Sequence, residues 1–188
     1  SYIISTNSWS QKNNFPGSAR YSAIAYSLNG KGYFGTGYAP YTNDLWEYDP
    51  LMDSWSQQPN FPGSARQHGV ALTINGKAYY GLGYKNGTSY NDWWEYDPLV
   101  GNWIAKTNFP GGGRRGVSYF EMGGKAYLAT GFDDINYYSD LWEYDPLSDA
   151  WTQLNPNIPV AGRYSGFGFG FNGCVYIGGG SNNGVVSP

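Results

Sequence analysis

Bulky and small residues alternate with a period of two at several places along the chain. Over residues 22–28, Ile24, Tyr26 and Leu28 alternate with Ala23, Ala25 and Ser27. Val70, Leu72 and Ile74 alternate with Gly69, Ala71 and Thr73, and Phe167, Phe169 and Phe171 with Gly166, Gly168 and Gly170. A period of two predicts a strand, and one bulky face beside one small face predicts close packing on both sides, as in stacked sheets. A third copy departs from this, because Val117, Tyr119 and Glu121 stand on its small face. Each of these strands runs into a two-residue turn: Asn29-Gly30, Asn75-Gly76, Gly123-Gly124 and Asn172-Gly173. Such residues accept the positive φ angles of a type I′ hairpin. A glycine-rich second strand is predicted over 32–37, 78–83, 126–131 and 175–180. A third covers 45–48 and its equivalents, Asp-Pro turns the chain, and a fourth carries a tryptophan. No stretch keeps a 3.6-residue period or shows helix caps, so essentially no helix is expected.

The pattern repeats. Trp9, Trp55, Trp103 and Trp151 recur at intervals of 46, 48 and 48, and Arg20, Arg66, Arg114 and Arg163 at 46, 48 and 49. Asn14-Phe15-Pro16-Gly17 returns at 60–63 and 108–111, and Leu45-Trp46-Glu47-Tyr48-Asp49-Pro50 returns at 93–98 and 141–146. Four antiparallel strands per ~45 residues, repeated, predict an all-β propeller of four-stranded blades. The unit resembles the kelch repeat, the blade of kelch and galactose-oxidase-like propellers. The Trp-Glu-Tyr-Asp-Pro segments, the tryptophans that follow them and the glycine-rich second strands carry the resemblance over nearly the whole chain. The wording Asp-Leu-Trp-Glu-Tyr-Asp-Pro is similar to kelch domains of secreted or surface-attached bacterial proteins, which implies an extracellular or cell-surface setting. The family's glycine doublet stands only at Gly178-Gly179-Gly180; elsewhere the chain has Gly35-Thr36-Gly37, Gly81-Leu82-Gly83 and Ala129-Thr130-Gly131.

The spacing divides a single domain, 1–188, into a half-blade 1–12, blades 20–58, 66–106 and 114–154, and a half-blade 163–180. Three arrangements are open: part of a larger ring, a four-bladed ring closed by the two halves, or half of an eight-bladed dimer. An incomplete ring would expose aromatic sheet faces and self-associate. The chain opens on Ser1-Tyr2-Ile3-Ile4, which reads as the middle of a domain, so a mature product or a fragment is expected.

Composition narrows the classes further. With 28 Gly, 19 Tyr and 8 Trp against 13% charged residues, the chain is not a disordered one. A net charge of −3 and 11 scattered basic residues exclude a nucleic-acid face. No stretch approaches the ~20 apolar residues of a membrane span, so no membrane insertion is expected. Cys174 is the only cysteine, which excludes an intrachain disulfide; its apolar surroundings, Val175-Tyr176-Ile177, predict a buried structural thiol.

In a four-stranded blade the connections alternate between two faces. The Asn-Gly and Asp-Pro turns share one face, and the longer, variable second-to-third loops share the other with the blade-to-blade loops. Variable loops on a rigid scaffold are where binding sits. Tyr41, Tyr90, Tyr137 and Tyr138 in these loops are candidate ligand contacts, since an exposed tyrosine offers a flat ring and a polar tip to sugars or proteins. Tyr38, Tyr84 and Phe132 are expected to pack at blade ends. Arg20, Arg66, Arg114 and Arg163 begin the first strands, which the resemblance places nearest the central channel. There they would ring the channel mouth and receive an anion, or else bond to carbonyls or to Asp44, Asp92 and Asp140. Glu47, Glu95 and Glu143 read as solvated or as cross-strand partners. Asp133-Asp134 is too small a set for calcium. The copper-oxidase branch that the resemblance brings to mind needs two His and a Cys–Tyr crosslink; with His68 and Cys174 alone, neither that site nor zinc can be built. His68 and Glu121 are the non-repeated polar residues of the first strands and the only acid–base candidates. The expectation is a non-catalytic binding or scaffolding module for a protein or glycan, with no cofactor and no metal. The alternatives are a fragment of a sugar-processing kelch enzyme of the sialic-acid-epimerase kind, or a purely structural or engineered propeller fragment.

Overall fold

The computed structural model describes residues 1–183 and the backbone of Val185–Val186. Three four-stranded antiparallel sheets follow one another along the chain. The first blade is Ile24–Leu28, Lys31–Gly35, Leu45–Asp49 and Ser54–Gln58. The second is Val70–Ile74, Lys77–Gly81, Trp93–Asp97 and Asn102–Lys106, and the third Ser118–Met122, Lys125–Ala129, Leu141–Asp145 and Ala150–Asn155. Strands lie in chain order within each sheet, and neighbouring sheets meet through their first strands, as the blades of a propeller do. The last unit holds the pair Phe167–Phe171 and Cys174–Gly178, and the N-terminus the pair Tyr2–Ile3 and Ser8–Trp9. Among the described residues these two pairs stay separate, so closure of a four-bladed ring by the two halves is not formed. The one helical element among the described residues is a single 3₁₀ turn, Ile4–Thr6. The all-β expectation therefore holds.

The bulky-and-small alternation explains how the blades stack. Ile24 of the first blade is buried in one cluster with Ala71 of the second, and Val70, Leu72 and Ile74 share another with Val117 of the third. At the next junction a Cβ on Gly168 would stand 3.0 Å from the Phe120 ring, and one on Gly170 2.8 Å from the Met122 sulfur. Only a face without side chains admits those residues so closely.

Three of the four linkers drive a phenylalanine into the blade that follows. Phe61 meets Tyr80, Trp94 and Trp103 edge-on with ring centroids 4.5, 5.8 and 5.3 Å away, and Phe109 meets Trp142 and Trp151 at 5.4 and 4.9 Å. Phe15 does the same in the first blade with Phe34, Trp46 and Trp55. The outer-strand tryptophans bond back to the linkers: Trp55, Trp103 and Trp151 donate through Nε1 to the carbonyls of Asn13, Pro59 and Thr107 at 3.2, 3.1 and 2.9 Å.

The repeated glutamates are cross-strand partners. Glu47 accepts from Lys31 and Tyr33, Glu95 from Lys77 and Tyr79, and Glu143 from Lys125 and Tyr127. Cys174 occupies the place of those lysines in the last unit. It is exposed, which corrects the expectation of a buried thiol. Its strand lies in a two-stranded sheet among the described residues, without the outer strands that cover its equivalents.

Candidate functional site

The four repeated arginines begin the geometry of the loop face. Arg66 and Arg114 are 1% exposed and Arg163 is 7% exposed, while the Arg20 side chain is 2% exposed. Arg114 forks onto Asp140 at 2.7 and 3.2 Å and donates to the Thr130 carbonyl at 3.1 Å. Arg66 pairs likewise with Asp92 and donates to the Leu82 carbonyl, and Arg20 pairs with Asp44 and donates to the Thr36 carbonyl. Arg163 donates to the carbonyls of Gly179 and Ala161. The same aspartates take the indole N–H of Trp46, Trp94 and Trp142. Burial works against the charge on Asp44, but the Arg20 and Trp46 donors hold its carboxyl below the usual carboxylate value. The arginines therefore sit inside the blades, where carboxylates and carbonyls take most of their donors, while the buried Arg114 Nε has no partner among the described residues.

Two of the four candidate tyrosines cover those arginines. Tyr90 lies with its ring centroid 3.9 Å from the Arg66 guanidinium, and Tyr138 3.5 Å from that of Arg114, opposite Phe61 and Phe109 at 5.0 Å each. Tyr138 also donates to Asp133 at 2.7 Å. Burial opposes the Asp133 charge, yet Tyr138 and the backbone N–H groups of Asn136 and Ile135 bring its carboxyl down to about 2. Asp133 is a loop brace, and among the described residues no cluster of three or more His, Cys, Asp or Glu is placed to hold a metal.

Tyr41 and Tyr137 belong to a different assembly. The residue after each repeated arginine is Tyr21, Gln67, Arg115 or Tyr164, and each pairs by a single antiparallel bridge with Tyr38, Tyr84, Phe132 or Ser181. The residue after that, Ser22, His68, Gly116 or Ser165, turns left-handed at φ 52°, 55°, 61° and 57°. Around these bridges runs a belt of rings. Tyr21 meets Tyr38 at 5.3 Å, Tyr38 meets Tyr41 at 4.5 Å, and Lys85 reaches from the second blade to within 5.6 Å of the Tyr41 ring. Arg115 lies 3.9 Å from the Tyr84 ring and 5.2 Å from that of Phe132, and it pairs with Asp134. Phe132 stacks on Tyr137 at 4.3 Å, and Tyr164 stands 5.8 and 5.9 Å from these two. Tyr38, Tyr84 and Phe132 thus pack at blade ends as expected and also form part of the belt. Buried atoms without a protein partner here are Gln67 Oε1, an acceptor, and Arg115 Nη1, a donor.

His68 sits beside the belt. Its N–H donates to the Ser22 carbonyl at 3.1 Å, and its Nε2 lies 3.2 Å from Ser22 Oγ. Burial, helped by the Arg115 charge, pushes the imidazole below its ordinary pKa, which favours its uncharged form. Glu121 lies at the other end of its strand, where it accepts the Gly124 N–H of the hairpin turn at 2.8 Å. The two acid–base candidates are thus on opposite faces. Reasoning from sequence missed Tyr21, Gln67, Lys85, Arg115 and Tyr164. The signal that marks four of them is variation: the position after an invariant arginine reads Tyr, Gln, Arg, Tyr.

Comparison with known proteins agrees with this architecture. Residues 113–157 match the family model described as the Kelch motif. A solved structure titled "Structure of YjhT" superposes with a TM-score of 0.78 at 21% identity, covering 92% of this chain and 63% of that one. This chain therefore spans less than two thirds of that neighbour, and the likeness is one of fold. No curated protein matches the chain.

Proposed function

Because this chain is a run of kelch-type β-propeller blades, we propose that it is a recognition module whose loop face takes a protein or glycan ligand on the belt centred on Arg115. A binding or scaffolding role is the coarser statement that the kelch fold itself supports. The finer reading rests on one observation. The repeated arginines and the linker residues Phe61 and Phe109 are taken up in blade construction, whereas a set of residues that vary between copies lies together around the bridges of the loop face: Tyr21, Tyr41, Gln67, Lys85, Arg115, Tyr137 and Tyr164. Flat rings with polar tips, interrupted by two cations, suit the apolar face and the hydroxyls of a sugar ring or the side chains of a protein loop. The belt offers His68, whose burial favours the uncharged imidazole, but among the described residues no nucleophile–base pair, and Glu121 is out of its reach. The same reading takes the chain to act outside the cell or on its surface.

A glycan array read beside a peptide-display screen tests this. Arg115→Ala and Tyr137→Ala are expected to lower binding of a selected ligand by tenfold or more with unchanged melting. Full binding by both variants would move the site elsewhere. Turnover of a sugar that is lost in His68→Ala would replace recognition with catalysis.

A further inference from the structure

An asparagine side chain reacts most readily with its own backbone where glycine follows, because no side chain screens the glycine nitrogen. Four such pairs stand among the described residues: Asn29-Gly30, Asn75-Gly76, Asn86-Gly87 and Asn172-Gly173. All four are exposed and turn through the left-handed region, with asparagine φ of 52°, 50°, 47° and 50°. Crowding does not distinguish them, since a Cβ on any of the four glycines would meet nothing within 4 Å. What separates them is the ribbon each one closes. Asn29-Gly30 and Asn75-Gly76 each join strands paired over five residues, and the second strand of each pair is bonded again to the third strand of its blade. Asn172-Gly173 also closes five pairings. Asn86-Gly87 closes only Tyr84–Lys85 on Thr88–Ser89, a two-stranded sheet whose whole register is Thr88 with Lys85 and Ser89 with Tyr84. A left-handed turn must open before the glycine nitrogen reaches the asparagine Cγ, and opening costs least where the fewest pairings hold the turn.

We propose that Asn86 is a self-modification site, at which the loop face converts asparagine to aspartate and isoaspartate while the turns inside the blades stay intact. The Gly87 nitrogen gives up its proton and bonds to Asn86 Cγ as the Cγ–Nδ2 bond breaks, and the proton leaves with the amide nitrogen as ammonia. Water then opens the five-membered imide. Attack at Cγ restores the chain with an aspartate; attack at the backbone carbonyl carbon leaves the chain running through Cγ as isoaspartate. Nothing is oxidised or reduced, and water is the only co-reactant. Either product sets a negative charge beside Lys85, whose ammonium lies 5.6 Å from the Tyr41 ring. Isoaspartate also lengthens the backbone of the turn close to Tyr84, which exchanges backbone bonds of 2.9 and 3.1 Å with Gln67. The chemistry does not rest on the loop-face reading, although it alters the surface which that reading uses.

Incubation of the folded whole chain in mildly alkaline buffer, followed over time by peptide mass spectrometry, tests the proposal. Asn86 is expected to convert about ten times faster than Asn29 or Asn75. In enough urea to unfold the chain, the three are expected to convert at similar rates, since glycine follows each. Asn86→Gln should keep the tryptophan spectrum of the wild type and lose most of the acidic species that the wild type accumulates on ion exchange. Conversion of folded Asn29 or Asn75 as fast as Asn86 overturns the proposal, as does an Asn86 that stays intact or an undiminished acidic species in Asn86→Gln. So does the same preference for Asn86 in urea, which would place the cause in the neighbouring sequence and not in the fold.

Discussion

At the scale of the residue, backbone conformation decides which positions are free to vary. Gly37, Gly83 and Gly131 hold φ of +109°, +96° and +108°, and a Cβ on Gly83 would stand 2.7 Å from the Gln67 carbonyl oxygen, so this position is glycine in every copy. The residue before it sits at φ 52°, 54° or 64° and is buried as Thr36, Leu82 or Thr130. That tolerance explains why the family's doublet is absent from three blades with no loss of the fold. His68 occupies a left-handed position that is serine in two other copies. Its imidazole has a lower pKa folded than the ordinary 6.5, chiefly because burial disfavours the charge. The unfolded chain therefore binds more protons, so His68's contribution to stability is whole above pH 6.5 and is lost as pH falls below it. The urea midpoint of the wild type is expected to fall more steeply between about pH 7.5 and about pH 5.5 than that of His68→Ser. Equal slopes would show that the shift does not reach stability.

At the scale of the element, period-two alternation, Asn-Gly turns and the tryptophan spacing made the strands legible, because each is local along the chain. The roles of the arginines and tyrosines were not, since each depends on a partner about twenty residues away. Arg66 finds Asp92, and Tyr90 lies over Arg66 only once the second-to-third loop folds back. The linkers behave the same way: Asn-Phe-Pro-Gly stands out in the sequence only as a recurring segment, yet its phenylalanine anchors the following blade. Phe109 is 1% exposed, whereas Phe15 is half-buried in the first blade. Phe109→Ala is expected to cost about 3–5 kcal/mol and Phe15→Ala clearly less. Urea titrations of the two variants measure this, and equal losses would mean that the anchoring does not scale with burial.

At the scale of the whole molecule, stability should follow the number of neighbours each blade has. A blade in a repeat array is stabilised by its own strands and by its interfaces. The second blade has both interfaces filled, and its strands Val70–Ile74 and Lys77–Gly81 are almost wholly buried. The last unit has one filled interface and two strands, and most of its bulky face is in water. Local opening therefore has least to break there. Amide hydrogen exchange at low concentration should protect Val70–Ile74 and Lys77–Gly81 most and Cys174–Gly178 least, with the third blade between them. Uniform protection across the blades would remove the ladder itself.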